Sequence, residues 1–232
     1  MMSPELISRF ERAGSALVRC PVLWDAANLS DARLAEVLIQ RRLVSLAFTP
    51  FYDMLIDALD SPTARLVCRQ ILREEYPDPA GNSPSHRELL VQDLVALGVD
   101  REALLRARPT AATAAAIIGS FELVDAAMAA RFRQLALVAT AASYGELLVA
   151  AEYRALRPRI EQGLGQKASV FYSPHLLHDS GHGKRLLELL ALRLDPHDPE
   201  QAAACGDAIE RCLALKLAFY EQFGDVPADD GR

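Results

Sequence analysis

The 232-residue chain has almost no strand signal: no run of alternating Val, Ile, Thr and aromatic residues lies between turn dipeptides. That excludes a sheet-based fold and leaves an all-α reading, which the abundance of Ala, Leu and Arg favours. Basic runs are also missing, and the net charge is −6. The charge balance argues against nucleic acid as a partner. Cys20, Cys68, Cys205 and Cys212 are scattered with no CxxC pair, so neither a disulfide framework nor a thiolate zinc site is expected. Residues Met1 to Gly14 carry Glu5, Arg9, Glu11 and Arg12 and no apolar run suited to a signal peptide. The longer apolar stretches are too short and too interrupted to span a bilayer. A cytoplasmic protein without a membrane partner is the expectation.

Turn and cap residues divide the chain into helices. One covers Pro4 to Val18, and a second runs from Ser30-Asp31 past Leu55 with a kink at Pro50. Ser61-Pro62 opens a third that reaches Glu75 or Tyr76, and Ser83-Pro84 opens a fourth that ends at Leu97-Gly98. Pro77 to Asn82 must be a loop. A short helix covers Arg101 to Arg106, followed by Thr110 to Met128 and Ala130 to Gln162. The next begins near Ser173-Pro174 and stops before Asp195-Pro196, and a last one spans Asp198-Pro199 to Phe223. Residues 1–224 are read as one helical domain and 225–232 as a disordered tail.

The chemistry concentrates in one stretch. His175, Asp179 and His182 are spaced i, i+4, i+7, which places them within about 60° of arc on a helix. Leu186, Leu189 and Leu190 share that stripe, so ionisable groups sit on the face that should be buried. Such groups cost several kcal/mol each unless strongly partnered, and a metal binds imidazole and carboxylate together. A hydrogen-bonded polar relay is the bland alternative. His178 lies about 60° to the side.

Other helices offer matching donors. Glu75 shares its stripe with Ala64, Cys68, Ile71 and Leu72, whereas Glu74 points about 100° away and is read as a surface residue. His86 aligns with Leu89, Leu90 and Leu97, and Asp93 shares that face as a partner for a metal-bound imidazole. In the long later helix Glu152 is in phase with Val138, Ala141, Gly145, Leu148 and Leu156. Glu146 lies about 120° off that stripe, so Glu152 is chosen and Glu146 kept as the alternative. The candidate metal set is therefore Glu75, His86, Glu152, His175, Asp179 and His182. Six oxygen and nitrogen donors without thiolate suit iron or manganese, in a two-metal site with open positions. The Glu-x-x-His pair of ferritin-like bundles does not occur.

The chain resembles the heme-oxygenase-like di-metal oxidases. The likeness rests on Glu75-Tyr76, on His86-Arg87-Glu88-Leu89, on the mid-chain helix glutamate Glu152, and above all on the His-x3-Asp-x2-His spacing of His175, Asp179 and His182. It implies a single-domain, all-α bundle of seven to eight helices, shared with TenA-type thiaminases and the pyrroloquinoline quinone-forming oxidase. It further implies two Fe(II) ions, or iron with manganese, and O2 as co-substrate. The implied reactions are N-oxygenation or oxidative C–C or C–H cleavage of a small, amino-acid-like substrate, with an external reductant and a homodimer among the partners. This chain departs from the pattern where glycines usually follow Glu-Tyr: it has Pro77-Asp78-Pro79-Ala80-Gly81.

Leu43, Phe48, Phe51, Tyr144 and Tyr153 are candidates for a pocket wall. Arg154, Arg157 and Arg159 are read as a solvated face, with one of them the candidate for a substrate carboxylate. Two competing functions stand beside the di-metal oxidase. One is a metal-free, TenA-like or quinone-forming enzyme, for which Cys68 is the candidate nucleophile. The other is a non-catalytic helical binding protein.

Overall fold

The computed structural model describes residues 4–78 and 84–224, with the side chains of residues 175–180 outside that description. Among the described residues there is no strand. The helices are α1 (Pro4–Leu17), α2 (Pro21–Trp24), α3 (Asp31–Ser45), α4 (Phe48–Ala58), α5 (Pro62–Glu74), α6 (His86–Ala96) and α7 (Arg101–Arg106). They continue as α8 (Ala111–Ala129), α9 (Arg133–Thr140), a π-helical segment (Ala141–Leu147), α10 (Leu148–Gly163), α11 (Tyr172–Arg193) and α12 (Pro199–Glu221). There are more segments than the seven to eight expected because long rods are interrupted. The expected second helix breaks at Leu46-Ala47 into α3 and α4. Pro50 then sits in the first turn of α4, where its missing N–H costs nothing.

Helix starts follow side-chain caps. Ser30, Ser61, Asp100, Thr110 and Asp198 each accept a backbone N–H of the first turn. The fourth helix is capped by Ser85 and not by Ser83-Pro84: Ser85 and Glu88 form a reciprocal capping box, two residues later than expected. At its other end Gly98 (φ 87°) closes a Schellman turn, with Val99 N donating to Leu94 O and Gly98 N to Val95 O. The loop expected at 77–82 begins with non-helical Pro77-Asp78; residues 79–83 lie outside the described residues, as does the expected tail 225–232.

The rod from Arg133 to Gly163 is the axis of the bundle. Its π segment packs against α11 and α12, and α1, α4, α9 and α10 complete the surroundings. Every residue from Leu148 to Tyr153 is buried, so this helix has no solvent face along that length. Among the described residues two helices, Ala111–Ala129 and Arg133–Gly163, are long and apolar enough to cross a membrane by length and composition, whereas the sequence reading takes the apolar stretches as too short and too interrupted. In the second, 89% of the apolar window is buried inside the fold, which is where its hydrophobicity is used. Pro158 is tolerated in that rod because it lies on an exposed face, where water can meet the freed carbonyl.

Candidate metal centre

The end of α5, the start of α6, the π segment and α11 meet around one cavity. It offers about 60 Å³ to the centres of water-sized molecules, enough for several waters or part of a small ligand. Glu74 is the last residue of α5 and Glu75 its C-cap, so consecutive carboxylates leave the helix where its regular phase ends. His86 is the first residue of α6, and its Nδ1 lies 2.9 Å from Glu75 Oε1. On α11, His182 is 7% exposed. Its Nε2 is 3.1 Å from Glu74 Oε1 and its Nδ1 is 3.5 Å from Glu146 Oε2. The other oxygen of Glu146 accepts a 2.5 Å hydrogen bond from the Tyr52 hydroxyl on α4.

Charge accounts for the tight pairing. Burial alone would lower the His182 imidazole, but the hydrogen bond and charge of Glu146, joined by Glu74, outweigh it and hold the group at about 9. An imidazolium thus answers two carboxylates. Gly145 makes the Tyr52 contact fit, because a Cβ there would fall on the Tyr52 hydroxyl and ring. Asp93 is 3% exposed and serves elsewhere. It accepts from Ser169 Oγ and from the backbone N–H groups of Val170 and Phe171, anchoring the turn that leads into α11.

Of the expected donors, Glu75, His86 and His182 line this cavity. His175 and Asp179 lie on α11, but their side chains, like that of His178, fall outside the described residues. Glu152 is not brought to the others. Completely buried, it sits between Arg41, whose Nε donates to Oε2 at 3.0 Å, and Lys216, whose Nζ is 2.9 Å from Oε1. Glu146 occupies the place beside His182 instead. Helix phase does not separate the two glutamates here, because one exposed face and a uniform 100° per residue do not hold along this rod. The axial helix has no exposed face there, and the π segment changes the angular step just before α10. Glu74 is exposed, as expected, yet its carboxylate at the end of α5 still reaches the His182 ring, a contact that the sequence did not signal.

Phe48, Tyr144 and Tyr153 line the cavity as expected, whereas Phe51 packs behind, 5.0 Å from the Tyr144 ring, and Val44 stands where Leu43 was expected. Arg159, read as solvated, is buried and donates to Leu29 O at 2.7 Å and to Asp31 Oδ1 at 2.5 Å. Cys68 is 1% exposed, and burial, with a smaller contribution from the Glu146 charge, pushes its thiol up to about 12. That is the reverse of an activated nucleophile.

The donors are imidazole and carboxylate only, a chemistry that fits iron. Among the described residues no group of three or more His, Cys, Asp or Glu is arranged to hold a metal ion. Residues 35–217 match the sequence profile of a family described as iron-containing redox enzymes. The chain belongs to that family. No curated protein matches this iron-containing redox enzyme family member in sequence.

Solved structures share its fold. A CADD-like protein of unknown function from Nostoc punctiforme PCC 73102 is similar at TM-score 0.73 and 15% identity, over 96% of this chain and 98% of the other. A domain of unknown function with a heme oxygenase-like fold from Shewanella denitrificans OS217 is similar at TM-score 0.72 and 16% identity, over 94% and 90%. A TenA homolog from Pseudomonas syringae pv. tomato str. DC3000 follows at TM-score 0.68 and 14% identity, over 94% and 91%. The all-α, heme-oxygenase-like fold expected from the sequence is therefore the fold of this chain.

Proposed function

We propose that this chain is a non-heme di-metal oxidase or oxygenase that uses O2 on a small, amino-acid-like substrate, by N-oxygenation or oxidative C–C or C–H cleavage. Iron, or iron with manganese, would be held by Glu75, His86, Glu146 and His182, together with His175 and Asp179 of α11. Glu74 flanks the set. The observation that carries the reading is the convergence of Glu75–His86 and Glu146–His182 from four elements on one cavity. The buried Glu146 and half-buried Glu75, gathered in this way, favour a bound cation, and the family is iron-containing.

When bound, the metals supply the O2 and redox chemistry. The protein's own part is positional. Tyr52 fixes one oxygen of Glu146 and leaves the other directed at His182. Glu75 orients the His86 ring through Nδ1. His182 must release its proton before its nitrogen can act as a donor, so metal uptake is coupled to proton loss at that ring. Ile71, Leu90 and Val149 give the cavity an apolar wall that keeps bulk water from the reacting groups. Cys68, with its raised thiol, gives no support to a metal-free nucleophilic mechanism.

The test is anaerobic loading with Fe(II), metal counting, and exposure to O2 followed by rapid absorbance. About two irons per chain are expected, as a two-metal site requires, with a transient visible band on mixing with O2. Glu146→Gln and His182→Gln should each lower the stoichiometry and abolish the band. Fewer than about one iron per chain, unaffected by either substitution, would overturn the reading and favour a non-catalytic helical protein.

A further inference from the structure

Two buried cations line the same cavity and no metal chemistry uses them. Arg41 on α3 is 5% exposed and Lys216 on α12 is 4% exposed, whereas the Glu74 side chain is 42% exposed. The cations therefore mark the deep end and Glu74 the mouth. Among the described residues one carboxylate, Glu152, pairs with them. Its Oε2 takes Arg41 Nε and Nη2, both at 3.0 Å, and its Oε1 faces Lys216 Nζ at 2.9 Å without hydrogen-bond alignment. Arg41 Nη1 also donates to Ser45 Oγ at 2.8 Å.

Aromatic faces lie beside both cations. Arg41 lies 5.6 Å from the Tyr153 ring centre and Lys216 Nζ 4.8 Å from that of Tyr144. Such contacts stabilise a cation without neutralising it. An ammonium has three N–H donors and a guanidinium five, more than these described partners use. Two charges of one sign and one of the other leave a net positive charge, almost wholly out of water, facing open space. An uncompensated buried charge is costly unless something of opposite sign arrives.

We propose that the deep end of the cavity receives the carboxylate of the substrate, with Arg41 and Lys216 as its binding groups and Glu152 as the counter-charge that holds both cations in place. The inference rests on the di-metal reading for what happens at the other end. Tyr144 stands over Lys216 two residues before Glu146, so a molecule seated on the cations extends along Tyr144 and Tyr153 toward the Glu146–His182 pair. The substrate is then a small acid whose apolar or amine-bearing portion, not its carboxylate, meets the oxidising centre. None of the arginines of α10 lines this cavity, and Arg159 is committed to Leu29 and Asp31.

The experiment is calorimetric titration of the protein, with and without Fe(II) under anaerobic conditions, using straight-chain carboxylates from acetate to octanoate and the amide of each. Carboxylates of at least one length should bind at least about tenfold more tightly than their amides, a difference of about 1.4 kcal/mol. Lys216→Met leaves a neutral Arg41–Glu152 pair, so the fold is retained, and it should weaken carboxylate binding by about tenfold or more. Lys216→Arg should restore most of it. No binding, equal binding of acid and amide, or indifference to Lys216→Met overturns the proposal. Iron counts taken in parallel separate the two readings. Lys216-dependent carboxylate binding without iron uptake would sink the di-metal reading alone; iron uptake without carboxylate preference would sink this one alone.

Discussion

Gly145 and Tyr52 show how one absent methyl group shapes the centre. Any side chain at position 145 would collide with the Tyr52 ring, whose hydroxyl holds Glu146. Gly145→Ala is expected to cost about 1–3 kcal/mol, the usual penalty for overpacking a filled core, and to displace Tyr52 from the carboxylate. Denaturant midpoints would show the loss, and a Tyr52→Phe background should reduce it, because part of the collision is with the hydroxyl. Lys216 offers a second residue-scale prediction. Burial, only partly offset by Glu152, lowers its ammonium from 10.5 to about 8. Below pH 8 the folded protein bears the full cost of burying that charge. Between about 8 and 10.5 the folded lysine sheds its proton while the unfolded one keeps it, so this residue's contribution to stability rises with pH. Metal-free wild type should therefore gain stability relative to Lys216→Met as pH is raised through that window. An opposite or flat trend in denaturant titrations would contradict the buried-cation description.

At the scale of the element, the π segment Ala141–Leu147 decides which glutamate reaches the centre. Deleting Ser143 should return the rod to a regular α step and turn Glu146 by roughly 100° relative to α9. Helicity by circular dichroism should persist, while iron uptake should be lost. Uptake at the wild-type level would mean that the π geometry is not what aims Glu146. The same segment marks the limit of what the sequence could tell. Caps at Ser30, Ser61, Thr110 and Asp198 are chemical signals carried by single side chains, so helix starts were legible there. Glu75 and His86 were legible because each is in phase with core-facing apolar residues of its helix, Cys68, Ile71 and Leu72 on α5 and Leu90 and Leu94 on α6. Glu146 and Glu152 were not separable, because a helix dry on every side gives no reference face. Glu74 was legible as an exposed residue, but its contact with His182 was not, because exposure at a helix end does not say which neighbour the carboxylate meets. The inward direction of Lys216 and Arg41 was equally hidden, since long cationic side chains are read by default as reaching water.

For the molecule as a whole, the candidate ligands belong to α5, α6, the axial rod and α11, elements far apart in sequence that share one apolar core. A metal bound by the folded arrangement and not by the unfolded chain must shift the folding equilibrium. At free Fe(II) about 100 times its Kd the gain is about 2.7 kcal/mol. For a chain of this size, where 1 kcal/mol moves Tm by about 2–4 °C, that corresponds to a rise of roughly 5–11 °C. Anaerobic thermal unfolding with and without Fe(II) measures it directly. Glu146→Gln should abolish most of the rise while leaving the metal-free Tm within a few degrees. Glu152→Gln should do the reverse, because removing the carboxylate between Arg41 and Lys216 strands two cations in the core, a loss of about 3–5 kcal/mol, without touching the donors around His182. A rise preserved in Glu146→Gln and lost in Glu152→Gln would put the metal at the Arg41–Lys216 end, and with it would go the division of this cavity into an oxidising mouth and an anion-binding floor.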